Sequence, residues 1–240
     1  MTALEVRRVA FVHGAGRTRS TALAPTDATV SAGQSLAVVG RSGSGKSTLA
    51  EIVLGLKRPA TGTVRVQGEP WSDPRRGPRR LRRHLVQGIP QDASGSFVPG
   101  RAIGQQITDA LRRLGVATGP DAAARVARAA HVARLDPQLL GRRPGELSGG
   151  QAQRAAIARA VAIEPAVIVA DEPTSALDAA TAEAVASAVL ALAPDLGTAL
   201  LIVTHDPALA ARCDATLEIA GAVEAAGRFG IVRAGDTRVR

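Results

Sequence analysis

The sequence of 240 residues predicts an α/β fold, with helices on the faces of a mixed or parallel sheet. Two fully apolar runs, at 166–170 and 199–203, are typical of strands buried on both faces of a parallel sheet. Segments of helical spacing alternate with these and other strand candidates, which indicates strand–helix–strand crossovers. A glycine-rich loop at 40–48 stands between an apolar stretch and a helical segment, as in phosphate-binding α/β folds.

The length and composition fit one globular domain, or one domain with an inserted lobe. Hydrophobic residues make up 45% and charged residues 21%, which excludes a disordered or collagen-like chain. Aromatic residues make up only 2%, which argues against stacking platforms for single-stranded nucleic acid. The single cysteine, Cys213, excludes an internal disulfide and a cysteine-based zinc or iron–sulfur site.

The chain carries a formal net charge of +9, and nearly all of its positive charge is arginine. Such a charge suits nucleic acid, an anionic membrane face or phosphorylated ligands. No apolar run approaches the roughly 20 residues of a membrane span, and residues 1–11 lack a signal-peptide core. We therefore expect an intracellular, soluble chain that can lie at the periphery of a membrane. One basic cluster predicts a solvated helix face or, alternatively, a surface for anionic lipid or for nucleic acid: Arg75, Arg76, Arg79, Arg80, Arg82 and Arg83.

Short apolar runs and breaks predict the elements in order along the chain. Strands or short apolar stretches are expected at 4–12, 29–30, 36–39, 63–66, 85–89, 166–170 and 199–203. Helices are expected at 48–56, 79–84, 151–163 and 179–192, and a loop at 71–78. The stretch from about 92 to 150 is rich in alanine, arginine and helical spacing, and predicts an inserted helical lobe.

The loop at 40–48 fits the pattern G-x-x-x-x-G-K-[ST], which binds phosphate between a strand and a helix. Its glycines let backbone N–H groups point at phosphate oxygens, and the helix N-terminus adds a positive dipole. A plain Gly/Ser turn is the alternative, but one of only two lysines falls at the required position. The predicted nucleotide-binding residues of this loop are Gly40, Arg41, Ser42, Gly43, Ser44, Gly45, Lys46, Ser47 and Thr48, with Ser47 also a Mg²⁺ ligand.

Two further segments carry candidate chemistry. Asp171 and Glu172 follow an apolar strand, where buried carboxylates need a bound cation or a catalytic function. Asp171 can hold the Mg²⁺ shell through water, and Glu172 can polarise the attacking water. An acidic turn is the alternative. Residues 147–151 place a hydroxyl and two glycines before a helix, which predicts a second phosphate contact or, alternatively, an ordinary serine cap. The residues of this second segment are Ser148, Gly149, Gly150 and Gln151.

In this order the motifs resemble those of an ATP-binding-cassette (ABC) ATPase, the nucleotide-binding subunit of a transporter, over residues 4–224. Residues 147–151 match the family's signature, and 175–178, which end at Asp178, match its D-loop. His205 matches the switch histidine, although a lone histidine there is otherwise more often a cap. Gln91 matches the glutamine at the junction with the helical lobe, with Pro90 and Ala93 departing from the usual residues.

The resemblance implies a P-loop core over 1–91 and 151–225 with an antiparallel β subdomain, a helical subdomain over 92–150 and a short tail over 226–240. It implies that Lys46, Glu172, His205 and Gln91 are catalytic, that Gln91 also contacts Mg²⁺, and that Asp178 contacts ATP. It aligns His13 with the residue that stacks on adenine, two residues beyond Phe11. The cofactors implied are ATP and Mg²⁺.

Within the family, the chain is similar to the oligopeptide, dipeptide and nickel importer ATPases, on residues 91–99, 146–150 and 169–178. This similarity implies a head-to-tail dimer of ATPase subunits, copies or paralogues. The expected partners are permease subunits and a solute-binding protein, at the cytoplasmic face of the cell membrane, without nucleic acid. The alternatives are an exporter ATPase, an ABC ATPase that acts on nucleic acid or ribosomes, and a small P-loop kinase.

Overall fold

Two sheets and six helices build the fold in the computed structural model, which describes residues 1–14, 20–220 and 231–233. The first sheet is antiparallel, in the order β2-β1-β4-β5. Its strands are β1 (Thr2–His13), β2 (Ser20–Ser31), β4 (Thr61–Val66) and β5 (Glu69–Ser72).

The second sheet has the order β10-β9-β3-β8-β7-β6, and β9 to β6 are parallel. Its strands are β3 (Ser35–Val39), β6 (Val86–Ile89), β7 (Val167–Asp171), β8 (Ala199–Val203), β9 (Ala215–Glu218) and β10 (Ile231–Arg233). The predicted α/β fold, with a parallel sheet and a separate antiparallel sheet, is confirmed. The antiparallel β10 belongs to the predicted tail over 226–240, whose other residues lie outside the described ranges.

The helices are α1 (Lys46–Val53), α2 (Ile103–Arg113), α3 (Gly119–Val132), α4 (Gly149–Val161), α5 (Ala179–Leu196) and α6 (Pro207–Ala211). Short 3₁₀ helices cover Arg80–Leu85, Ser94–Ser96, Pro137–Gly141 and Pro144–Glu146. The stretch 92–150 therefore contains helices and no strand, as expected, although its limits as a subdomain stay a prediction.

The parallel sheet separates two cores, because successive side chains of a strand point to opposite faces. On one face, Leu200 and Ile202 of β8 pack with α4, α5 and the helices of the 92–150 stretch. On the other, Leu201 and Val203 pack with α1 and the antiparallel sheet. The apolar run of β8 is thus apolar throughout because both of its faces are covered.

Two expectations differ from the structure. The loop predicted at 71–78 starts two residues too early, because Trp71 and Ser72 end β5. Pro70 is tolerated there since β5 is an edge strand, which leaves one row of backbone groups unpaired. Sequence periodicity also found only the end of β2, whose first residues are small or polar.

Helix α5 meets the length and hydropathy of a membrane span, unlike any other helix in the described ranges. Its side chains Val185, Val189 and Leu192 are nevertheless buried, and the helix packs on α4 and β8. One face of the helix is therefore packed on the core of the fold. It runs four residues past the predicted end and stops where Gly197 adopts a left-handed conformation, φ 64°.

We expect Leu201→Ala to lower the free energy of unfolding by about 2–5 kcal/mol, because it opens a cavity under the parallel sheet. The matched control is Leu56→Ala, since Leu56 is 69% exposed and its truncation should change stability by less than about 0.5 kcal/mol. Urea unfolding of both variants measures the difference. Equal losses would contradict the two-sided burial of β8.

Candidate nucleotide site

The glycine-rich loop joins β3 to α1 in a path that needs its glycines. Gly45 caps α1 at φ 107°, and a Cβ there would overlap the carbonyl oxygen of Ala22. Gly40 has φ 149°, and its Cβ would lie 2.5 Å from the carbonyl oxygen of Ile219. Both positions combine a backbone conformation that favours glycine with a close backbone neighbour. The loop is therefore held between β2 and the end of β9.

Lys46 is the first residue of α1, and its ammonium group folds back over the loop. Its Nζ donates to the carbonyl oxygens of Gly40, at 2.8 Å, and Arg41, at 3.0 Å. The positive charge thus stands above the loop's own peptide groups, at the N-terminus of a helix. That arrangement collects positive potential where a phosphate would bind.

The loop opens into a cavity of about 530 Å³ that gathers residues from six separate segments of the chain. The cavity is lined by His13, Ser20, Thr21, Ala22, Ser42, Gly43, Gly45, Lys46, Ser47, Thr48, Gln91, Glu172 and His205. Most of the predicted loop residues, with His13, Gln91, Glu172 and His205, therefore share one cavity. Gly40, Arg41 and Ser44 belong to the loop but do not line the cavity, and Ser44 is buried.

Asp171 ends β7 beside the loop. One of its oxygens, Oδ1, is buried and has no hydrogen-bond partner in the part of the chain that the structure describes. Burial raises the pKa of Asp171, and the neighbouring carboxylates of Glu172 and Glu51 raise it further, while the Ser47 hydroxyl and Lys46 oppose the shift. An under-satisfied carboxylate next to a hydroxyl is a donor set for a hard divalent cation.

Glu172 follows in a strained conformation, with φ 46°. Its backbone N–H donates to the carbonyl oxygen of Val203 at 2.9 Å, which fixes this turn to the end of β8. Its Oε2 lies 2.8 Å from Nδ1 of His205. The carboxylate is thereby aimed into the cavity and held by the histidine that follows β8.

Gln91 and Glu172 are linked through a third side chain. The Gln91 Nε2 donates to the Ser175 hydroxyl at 3.1 Å, and that hydroxyl donates to the Glu172 carbonyl oxygen at 3.2 Å. Ser175 is part of the predicted D-loop but was not predicted as a site residue. The signal that could have found it is its position three residues after Glu172, within reach of that carbonyl group.

The signature residues lie outside this cavity. Ser148 caps α4: its hydroxyl accepts from the Gln151 N–H at 3.3 Å, and its N–H donates to the Gln151 Oε1 at 2.9 Å. Asp178 caps α5 by accepting from the Thr181 N–H at 3.1 Å. Hydrogen bonds from the Thr181 side chain and backbone lower the pKa of Asp178. Neither these caps nor the signature glycines line the cavity of the phosphate loop, and their contact with ATP stays a prediction.

The two signature glycines serve packing within the chain. A Cβ on Gly149 would lie 3.3 Å from Leu177, and a Cβ on Gly150 would overlap the methyl group of Thr181. The absence of side chains therefore lets α4 dock closely on the D-loop and the first turn of α5. This reason was not foreseen from the sequence, which predicted only a close approach to phosphate.

Helix α4 also holds the segment after Gln91. Buried Gln153 donates to the carbonyl oxygen of Pro90 at 3.3 Å. Arg159 donates to the carbonyl oxygen of Ser96 at 2.7 Å and to its hydroxyl at 3.0 Å, and lies 4.4 Å from the ring centre of Phe97. Burial lowers the pKa of Arg159. Neither residue was predicted as part of the site.

The opposite wall of the cavity comes from the antiparallel sheet. His13 lines it, and the start of β2, which pairs Ser20 with His13, adds Ser20, Thr21 and Ala22. Phe11 lies behind, edge-on to His13 at 5.2 Å between ring centres and 5.5 Å from the Lys57 ammonium group. His13 lines the cavity and Phe11 does not, while the predicted stacking of His13 on adenine stays a prediction.

Comparison with known sequences and structures gives the class of this protein. The sequence family described as ABC transporter matches residues 23–175, and the chain belongs to this family. The chain is therefore an ABC ATPase, which binds ATP and couples its hydrolysis to transport, and the predicted family and enzyme class are confirmed.

Two curated relatives are each described as a nickel import ATP-binding protein, NikE. The protein from Escherichia coli (strain K12) is 36% identical over 184 residues, which cover 77% of this chain and 69% of that protein. The protein from Pseudomonas putida is 41% identical over 186 residues, which cover 76% and 67%.

Among solved structures, a dimeric post-hydrolysis state of the cassette MJ0796 bound to ADP and Pi is similar, with a TM-score of 0.78 and 26% identity. The match covers 90% of this chain and 94% of that one. The structure described as cbiO1 from Clostridium perfringens, part of the ABC transporter complex cbiONQ, has a TM-score of 0.77 at 24% identity and supports the fold. The match covers 91% of this chain and 84% of that one.

We expect Gly150→Ala to lower the free energy of unfolding by about 1–3 kcal/mol, because the new methyl group overlaps Thr181. Adding Thr181→Ser removes the clashing methyl group and should restore most of the loss. The matched control is Gly145→Ala, at a position where a Cβ meets nothing within 4 Å. Urea unfolding measures all four proteins. A loss that Thr181→Ser does not reduce would contradict the packing role.

Proposed function

We propose that this chain is the ATP-hydrolysing subunit of an ABC importer for nickel, peptides or related small solutes. The observation that carries the catalytic part is the shared cavity of Lys46, Gln91, Glu172 and His205. The importer and its cargo class rest on the similarity to nickel import ATP-binding proteins and on the motif pattern of that group.

Mg²⁺ is proposed as the metal, and the residues present fit it. The buried Asp171 oxygen without a partner and the adjacent Ser47 hydroxyl are hard oxygen donors beside the phosphate loop. Ser47 would ligate the ion directly, with Asp171 and Gln91 in its surroundings. When bound, the ion neutralises charge on the β- and γ-phosphates.

The protein's own groups then supply positioning and electrostatics, the main terms in phosphoryl transfer. Lys46 and the loop N–H groups bind the phosphates. Glu172 accepts a hydrogen bond from the attacking water, and its strained turn keeps the carboxylate at that place. His205 holds Glu172 through the 2.8 Å contact and reaches the γ-phosphate, while Gln91 reports the state of the site to the 92–150 stretch.

The signature is proposed to act on the ATP of a second ATPase subunit, a copy or a paralogue. Ser148 and the N-terminus of α4 lie outside the cavity of their own chain and form a ready anion-binding end of a helix. Two subunits arranged head to tail would thus complete two sites, with Asp178 near the junction. The similarity to a dimeric cassette supports this arrangement.

The remaining partners follow from the importer proposal. Permease subunits would transmit the motion of the ATPase dimer, and a solute-binding protein would deliver the cargo. The chain would lie peripherally at the cytoplasmic face of the cell membrane. The lack of long insertions between the phosphate loop and Asp171 disfavours an ABC ATPase of nucleic acid or ribosomes.

We expect Glu172→Gln to bind ATP normally and to lose hydrolysis by roughly two to four orders of magnitude, because the amide lacks the basicity of the carboxylate. Steady-state phosphate release and ATP binding are measured on the same protein. Glu164→Gln is the control, since Glu164 pairs with Arg125 and Arg128 away from the cavity. Near-normal turnover of Glu172→Gln would refute the assignment.

A mixture of Lys46→Ala chains with Ser148→Arg chains should regain activity that neither variant has alone. In the mixed dimer one site carries both defects and the other carries neither, so up to about half of the activity per dimer returns if the sites act independently. The control mixture pairs Lys46→Ala with Glu172→Gln, which act in the cavity of their own chain, and no site is restored. If this chain pairs with a paralogue, that partner replaces one copy.

The readouts of this mixing experiment are ATP turnover and ATP-dependent crosslinking of the mixed pair. Crosslinking tests dimer formation even if both sites must hydrolyse together. Neither activity nor crosslinking in the first mixture, or equal activity in both mixtures, would contradict the shared site.

A further inference from the structure

The arginine segment, defined as residues 75–83, is a concentration of positive charge that the fold leaves largely unpaired. In the described ranges only Arg82 of its six arginines has a carboxylate within 4.0 Å, that of Glu69. Asp73 is nearby, but its carboxylate accepts from the backbone N–H groups of Arg75 and Arg76. The other five arginines of the segment are exposed.

Several arginines of the helical stretch are paired with carboxylates instead. On the helical stretch 92–150, Arg101 pairs with Asp109 and Arg125 pairs with Asp121 and Glu164. Repulsion among neighbouring cations opposes folding, so a cluster of six arginines with one ion pair in the described ranges lowers stability. A negatively charged partner would remove that cost.

The segment also exposes an apolar side chain between its arginines. Leu81 is 85% exposed in the 3₁₀ helix Arg80–Leu85. Residues three apart lie on the same side of such a helix, which places Arg80 beside Arg83. Arg79, Arg82 and Leu85 line a separate cavity of about 540 Å³ behind them. The outward surface is therefore a leucine between guanidinium groups.

This surface is fixed to the fold. Arg82 donates to the carbonyl oxygens of Pro70, at 3.3 Å, and Val66, at 3.2 Å, which ties the helix to the antiparallel sheet. It directly precedes β6, whose other end leads to Gln91. The segment thus stands at the end of β6 away from the nucleotide cavity, and changes in it should leave ATP binding intact.

We propose that the arginine segment binds the anionic phospholipid surface of a membrane. Guanidinium groups pair well with phosphate oxygens, and an apolar side chain among them can enter the headgroup boundary. Single-stranded nucleic acid is less suited, because Trp71 and Phe97 are buried and offer no stacking face. The choice of a membrane over an acidic protein segment rests on the proposed function, which places the chain at a membrane.

The test is sedimentation of the purified full chain, without ATP, with vesicles of phosphatidylcholine alone or of equal parts phosphatidylcholine and phosphatidylglycerol. We expect binding to the anionic vesicles only, weakened by salt. Arg80→Gln with Arg83→Gln should lower the affinity roughly 25-fold, at about fivefold for each arginine. Arg142→Gln with Arg143→Gln, which removes two exposed arginines elsewhere, is the matched control and should bind as the unchanged chain does.

Leu81→Ala removes the apolar contact without changing charge, and should weaken binding severalfold. ATP affinity, measured on every variant, shows that the fold is retained. Equal binding to neutral vesicles, equal losses in the two double variants, or unchanged binding of the Arg80/Arg83 variant would overturn the proposal. The proposal would also be overturned if binding of duplex DNA or polyglutamate, but not of vesicles, depended on Arg80 and Arg83. If the chain hydrolyses ATP but binds no vesicles, the membrane-binding proposal is refuted and the proposed ATPase function is not.

Discussion

The parallel register of four strands is the constraint on which the site depends. Val203 of β8 lies beside Val38 of β3 on one side and Asp171 of β7 on the other, and β6 extends the same order with Ile89 beside Ala170. Parallel strands bring their carboxyl ends to one edge of the sheet, where ligands of α/β folds bind. The segments that follow these strands carry the phosphate loop, His205, Glu172 and Gln91. A sheet with another order would scatter the same residues.

That edge holds neighbouring charges of the same sign and a strained backbone, which the surrounding structure must keep in place. The carboxylates of Asp171 and Glu172 are adjacent, and the first is partly buried with an unpartnered oxygen. Glu172 adopts a left-handed conformation that its N–H bond to Val203 and its contact with His205 maintain. Such costs are typical of functional sites, where the surrounding fold over-determines the geometry. Here the buried apolar strands β7 and β8 provide that rigidity.

Helix α4 connects parts of the chain that the cavity alone does not join. Its N-terminal glycines dock on Leu177 and Thr181, its middle holds Pro90 through Gln153, and Arg159 near its end holds Ser96. The signature, the D-loop and the segment after Gln91 are therefore packed on one rigid rod. In the proposed dimer, a displacement at Gln91 would be transmitted by α4 to the surface that faces the partner, because packed helices move as units rather than bending.

The sequence by itself determined the fold class, the phosphate loop and the family. Those features are local: a strand buried on both faces must be apolar throughout, and a loop around phosphate must contain glycine at fixed places. Only the tertiary structure decided which distant segments meet. Ser20 to Ala22 line the cavity because β2 pairs with β1, and Ser175 bridges Gln91 and Glu172. A side chain at position 150 is excluded because the methyl group of Thr181 occupies the space. Apart from the short spacing between Glu172 and Ser175, no local pattern marks these residues, because their roles depend on neighbours far away in the chain.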